Sequence, residues 1–259
     1  MRELKRVQCL VWGVLLSALL IGCGGPNTST YAPPTLAPLL TATPTVTPTP
    51  TARPTPTPTG GPTPACADSP GRVETESYYS HVLEREMTYR IYLPPCYDTD
   101  DGPYPVLYLL HGYPYNESHW DWLGADETAD EGIHSGIYPP LIIVMPNGDP
   151  EGLFINTSGG DRSVEGLILN DVIPHIDGAY RTWAAREGRA VGGISRGGVW
   201  SLEIGFRNPD LFSVVGAHSA ALSVNHPHPL YDPFNLAVEP DVQTLRIYLD
   251  AGDEDWART

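Results

Sequence analysis

Lysine is nearly missing from this chain. Its single copy, Lys5, stands among the first six residues. Four of the 15 basic residues (Arg2, Lys5, Arg6 and Arg53) and one of the 31 acids (Glu3) precede residue 66. The remainder therefore carries 11 arginines against 30 acids, a formal charge of −19. Such a surface excludes nucleic acid as a partner and argues against docking on anionic membranes. No apolar run reaches the roughly 20 residues of a membrane span. The longest, Cys9 to Gly22, is 14 residues. No internal repeat is visible. Histidine is absent from the last part of the chain, where the final one is His228.

What the amino terminus does contain is a basic start followed by that apolar run, the pattern of an export signal. The run closes on Leu20-Ile21-Gly22-Cys23, which resembles the bacterial lipobox, with Cys23 as the lipidated residue. Residues 1–23 are thus expected to be a lipoprotein signal. Residues 24–65 repeat threonine and proline, as in Thr43-Pro44-Thr45-Val46-Thr47-Pro48. That composition cannot build a core and predicts an extended spacer, with a reach on the order of 100 Å. The expected setting is extracytoplasmic, on the cell surface or outer membrane, with the lipid as the only membrane contact.

Residues 66–259 suit one folded domain. Cys9 departs with the signal and Cys23 takes the lipid, so Cys66 and Cys96 remain for a disulfide in an exported domain. Residues 72–79 and 86–93 read as strands. Val106–Leu110 and Leu141–Met145 are continuous apolar runs, as strands buried on both faces should be. Leu169, Val172, Ile173, Ile176 and Tyr180 share a helical face within 165–181. Two further strands are predicted at Ser213–Gly216 and Leu245–Leu249. Strands alternating with helices predict an α/β fold, a mainly parallel sheet covered on both faces.

Between the strand at Arg189–Gly192 and a helix of about ten residues from Arg196 lies Gly193-Ile194-Ser195-Arg196-Gly197. A serine between glycines at a strand-to-helix turn is the nucleophile elbow, and it predicts acyl transfer through a covalent ester. Gly193 and Gly197 let the strand and helix approach closely. A serine nucleophile needs a base, and the base needs an orienting acid. His111-Gly112 follows the strand at 106–110, where a loop can aim a backbone N–H at a developing oxyanion. Tyr113 N–H is the expected donor, with Arg196 N–H as the second. His111 suits a structural role in that loop.

Together, Tyr92-Leu93-Pro94-Pro95-Cys96-Tyr97, Leu109-Leu110-His111-Gly112, Val144-Met145-Pro146-Asn147-Gly148, Asp171-Val172-Ile173-Pro174-His175-Ile176-Asp177 and Gly193–Gly198 cover most of residues 70–255. The chain resembles the esterase family of α/β-hydrolases that includes feruloyl esterases, S-formylglutathione hydrolase and mycolyltransferases. The resemblance is strongest to exported feruloyl and acetyl-xylan esterase-like members. It implies hydrolysis of a small-molecule or polysaccharide ester, with no metal and no cofactor.

The family's acid falls in a Gly-x-x-Asp setting, here Gly252-Asp253-Glu254-Asp255, which carries the role over to Asp255. Asp250 and Asp253 are its rivals. The family's histidine follows the acid by some tens of residues. No histidine follows Asp255 here, so the domain is expected to lack its last strand and helix. His218 follows the nucleophile helix and is a substitute base only against the usual chain order. His226-Pro227-His228 reads as a surface loop. Trp120 and Trp122 line an aromatic or sugar pocket or else pack in the core. Asp98–Gly102 reads as a solvated turn rather than a calcium loop, and Asn116-Glu117-Ser118 is a sequon of little meaning beside a bacterial-type signal. Two other functions fit the same residues: a non-catalytic binding protein on a hydrolase fold, and an acyltransferase to a sugar or lipid acceptor.

Overall fold

The computed structural model describes residues 69–148, 160–223, 228–253 and 255. They belong to the unit Pro58–Thr259. The signal, the spacer, Cys9, Cys23, Cys66 and His226 lie outside the described residues. No described helix is long and apolar enough to cross a membrane.

Seven strands form one sheet in the order β1-β2-β4-β3-β5-β6-β7. The hairpin β1 (Arg72–Ser80) and β2 (Arg85–Leu93) pairs antiparallel from Arg72↔Leu93 to Ser80↔Arg85. In β2 the alternation of Met87, Tyr89 and Ile91 puts those side chains into the core. β3 (Val106–Leu110) and β4 (Ile142–Pro146) are the centre of the sheet, and their apolar runs supply both of its faces. Val106, Tyr108 and Leu110 join one core cluster while Leu107 and Leu109 join the other. β5 (Arg189–Ile194), β6 (Val214–His218) and β7 (Arg246–Asp250) continue the parallel half. Covering is uneven: β7 is exposed along its whole length, against the expectation of a sheet sheltered on both faces.

Short α1 (His119–Trp122) and α2 (Ala125–His134) follow β3. The helix expected over 165–181 is present, but interrupted. α3 (Val164–Gly166) passes into a wider π-type stretch, Leu167–Val172, before α4 (Ile173–Ala179). The extra residue per turn shifts the phase, so Leu167 and Ile168 are buried and Leu169 is only partly so.

α5 (Arg196–Arg207) is buried from Gly197 to Phe206, and it carries a carboxyl inside. Glu203 is 3% exposed, and Oε1 has no hydrogen-bond partner among the described residues. Burial pushes its pKa up to about 9, against the pull of Arg196 and Arg207. An unfolded chain releases that proton near pH 4.5, so stability falls as pH rises from there to about 9. The slope is about 1.4 kcal/mol per pH unit. Glu203→Gln removes it. In urea melts the variant is expected to gain about 4 kcal/mol on the wild type between pH 5 and pH 8. An equal gap at both values would place the effect elsewhere. A further short α-helix, α6 (Pro233–Leu236), packs near α5.

Candidate active site

β5 delivers the chain to Ser195, which adopts φ 57° and ψ −115° before α5 begins. A non-glycine residue there is strained by about 1–3 kcal/mol, and surrounding contacts must hold it. They do. Ser195 N–H donates to His218 O at 2.9 Å, while Ser195 O accepts from Val199 N–H at 3.2 Å and Ala221 N–H at 3.1 Å. The two glycines are sterically required: a Cβ on Gly193 would lie 2.1 Å from Gly197 O, and one on Gly197 would lie 2.2 Å from Leu110 O. Ser195 itself is half-buried, at the carboxyl edge of the parallel strands.

Facing it is the loop after β3. His111 is buried, with Nδ1 2.9 Å from Gly112 O and Nε2 accepting Gly148 N–H at 2.9 Å. Its place is structural. Gly112 packs on the serine: a Cβ there would meet Ser195 Cβ at 3.3 Å. Tyr113 follows, its side chain exposed. Arg196 opens α5, so its N–H stands at the positive end of the helix dipole.

His119 escaped sequence reasoning. It is buried, its Nδ1 accepts Gly112 N–H at 3.2 Å, and its ring stacks on Tyr115 at 3.8 Å. Burial and His111 lower its pKa, and burial lowers that of His111. Only its seven-residue spacing from Gly112 within one loop hinted at contact.

At the far side, Asp255 lies beyond the end of β7, half-buried, its N–H donating to Gly252 O at 3.1 Å. Asp250 ends β7 and accepts from Tyr248 OH at 3.1 Å. It also pairs with His218 Nδ1 at 3.0 Å. The ring of His218 meets Trp120 edge-on and borders an apolar cavity of about 570 Å³ floored by Leu107, Leu109 and Ile143. Trp120 thus lines a cavity, while Trp122 is exposed beside Tyr115. His228 is exposed in a turn, accepting Leu230 N–H. Cys96 is disulfide-bonded. Among the described residues, no group of three or more His, Cys, Asp or Glu is placed to hold a metal ion.

This sheet order, with a strained serine between a parallel strand and a buried helix, defines the α/β-hydrolase fold. Residues 80–258 match the family model described as Putative esterase, and the chain belongs to that family. An esterase of Mycobacterium tuberculosis is 34% identical over 140 residues, covering 52% of this chain and 29% of that protein. An endo-1,4-beta-xylanase/feruloyl esterase of Xylanibacter ruminicola is 30% identical over 170 residues, covering 63% of this chain and 23% of that protein. The chain thus spans under a third of the length of these relatives. A ferulic acid esterase structure superposes with a TM-score of 0.62 at 25% identity, over 71% of this chain and 80% of that one. An S-formylglutathione hydrolase from Staphylococcus aureus shares the fold, with a TM-score of 0.57 at 19% identity over 71% and 81% of the two chains.

Proposed function

We propose that this chain is an exported serine esterase acting on carboxylic esters carried by carbohydrate. Ser195 Oγ bonds to the ester carbonyl carbon as its proton passes to a base. The tetrahedral oxyanion is held by Tyr113 N–H and Arg196 N–H. The carbon–oxygen bond to the alcohol then breaks, and the alcohol leaves with a proton. Water repeats the sequence and frees the acid. Asp255 has the role of orienting the base, to which we assign no residue of this chain. The reading includes export through residues 1–23, lipidation at Cys23, a spacer over 24–65 and a Cys66–Cys96 bridge.

The observation that carries it is the backbone of Ser195, held at φ 57° between two glycines whose Cβ positions are filled by backbone. Family membership supports ester hydrolysis, and the feruloyl esterase named among the relatives supports a carbohydrate-linked acyl group. A fluorophosphonate probe followed by peptide mass spectrometry tests it. One label is expected, on the peptide containing Ser195. A label on another residue, or none on folded protein, would sink the proposal.

A further inference from the structure

Both polar groups of Gly112 are held by imidazoles. Its N–H donates to His119 Nδ1 at 3.2 Å. Its carbonyl accepts from Tyr115 N–H at 2.9 Å and lies 2.9 Å from His111 Nδ1. A neutral imidazole has one donor and one acceptor nitrogen, so these bonds decide the tautomers. His111 accepts Gly148 N–H at Nε2, and therefore carries its proton on Nδ1 and donates to Gly112 O. His119 accepts at Nδ1, and therefore carries its proton on Nε2.

The carbonyl of Gly112 and the N–H of Tyr113 belong to one planar trans peptide and point in opposite directions. Holding the carbonyl toward His111 and Tyr115 aims the Tyr113 N–H away from them. His119 sets the adjoining peptide in the same manner. It is well placed to do so, because Tyr115 stacks on its ring with planes 8° apart. Its Cε1 lies 3.5 Å from the point where a Cβ on Gly112 would stand, and Ser195 Cβ lies 3.3 Å from that point. The ring and the nucleophile thus both border Gly112. Yet neither nitrogen is available as the nucleophile's base, since Nδ1 is engaged and Nε2 is protonated.

We infer that His119 is a positioning residue: its neutral ring holds Gly112 N–H so that the loop presents Tyr113 N–H to the oxyanion, and a proton on Nδ1 releases it. This rests on the reading of Ser195 and Tyr113 given above. Protonation would set two donors, Nδ1–H and Gly112 N–H, against each other. The same holds for His111 Nε2 and Gly148 N–H. Burial opposes protonation of both rings, and His111 opposes it further at His119, while the bond to Gly112 O favours it at His111. Glu117, whose carboxylate accepts from Asn147 Nδ2 at 2.8 Å, favours it at His111. Among the described residues, the rings packed on them are uncharged, Trp200 at His111 and Tyr115 and Trp122 at His119. The latch is therefore closed at neutral pH and opens below the ordinary imidazole range.

The test compares wild type, His119→Phe and His119→Asn in the full chain, following kcat and KM for an aryl acetate across pH. Phenylalanine keeps the stack on Tyr115 and loses the acceptor. It is expected to lower kcat by about a hundredfold with KM little changed, as for a misplaced catalytic group. Asparagine offers an oxygen to Gly112 N–H without titrating. It is expected to recover most of kcat. Full kcat in the phenylalanine variant, or no recovery in a folded asparagine variant, would overturn the inference. Should the phenylalanine variant not fold, the imidazole ¹⁵N shifts of His119 in the wild type decide across pH: a bare Nδ1 that gains its proton only below the ordinary imidazole range upholds the latch, and an Nδ1–H at neutral pH refutes it. Turnover that survives Ser195→Ala would instead defeat the serine reading. In that case the imidazole ¹⁵N shifts of His119 decide the latch: a bare Nδ1 upholds it and an Nδ1–H refutes it.

Discussion

Ser195→Ala is expected to abolish acylation and to lower ester turnover by at least about 10⁴-fold. The residue left behind keeps the oxyanion donors and the pocket, so substrate still binds and KM changes far less than kcat. A second substitution at the same position separates chemistry from strain. Alanine shares the steric limits that make φ 57° costly, whereas glycine does not. Ser195→Gly is therefore expected to be just as inactive, yet about 1 kcal/mol more stable than Ser195→Ala in urea melts. Equal stability of the two would mean that the turn stores no strain, and would remove the main support for reading it as a nucleophile elbow.

The parts of this architecture written in local sequence are those set by side-chain period and by glycine. Val106–Leu110 and Leu141–Met145 had to be buried strands, because no half-exposed element tolerates such runs. The strand-to-helix turn at Ser195 was legible because a backbone 2.1 Å from a would-be Cβ leaves only glycine at 193. The π-type stretch at Leu167–Val172 was not legible, since one extra residue in a turn alters the facing of apolar side chains without altering their composition. Contacts between distant segments were hidden for a different reason. His218 and Asp250 meet because β6 and β7 are parallel neighbours in a register that sets these two residues side by side. Nothing within either segment encodes that register. His119 meets Gly112 through a loop whose path depends on how α1 packs, so its role emerges only in three dimensions.

Gly193→Ala is expected to be severely destabilising. The new Cβ would stand 2.1 Å from Gly197 O, 2.3 Å from Gly197 C and 2.8 Å from Gly198 N, all of them backbone at the start of α5. No rotamer relieves this, so the helix must move off the sheet. That movement breaks the contacts of Trp200 and Val199, which are 2% and 0% exposed. Overpacking of side chains costs about 1–3 kcal/mol, and a clash with fixed backbone exceeds it, to roughly 4 kcal/mol or more. A loss of that size consumes much of the stability of an ordinary domain, so the variant should be largely unfolded or insoluble at 37 °C. Gly216→Ala supplies the control. It lies in the next strand, and its Cβ would find only Gly192 Cα, at 3.9 Å. Ordinary contact there predicts a change within about 1 kcal/mol, with full fluorophosphonate labelling retained. If circular dichroism showed Gly193→Ala and Gly216→Ala melting alike, the close approach of β5 and α5 would not be what holds Ser195 in its turn.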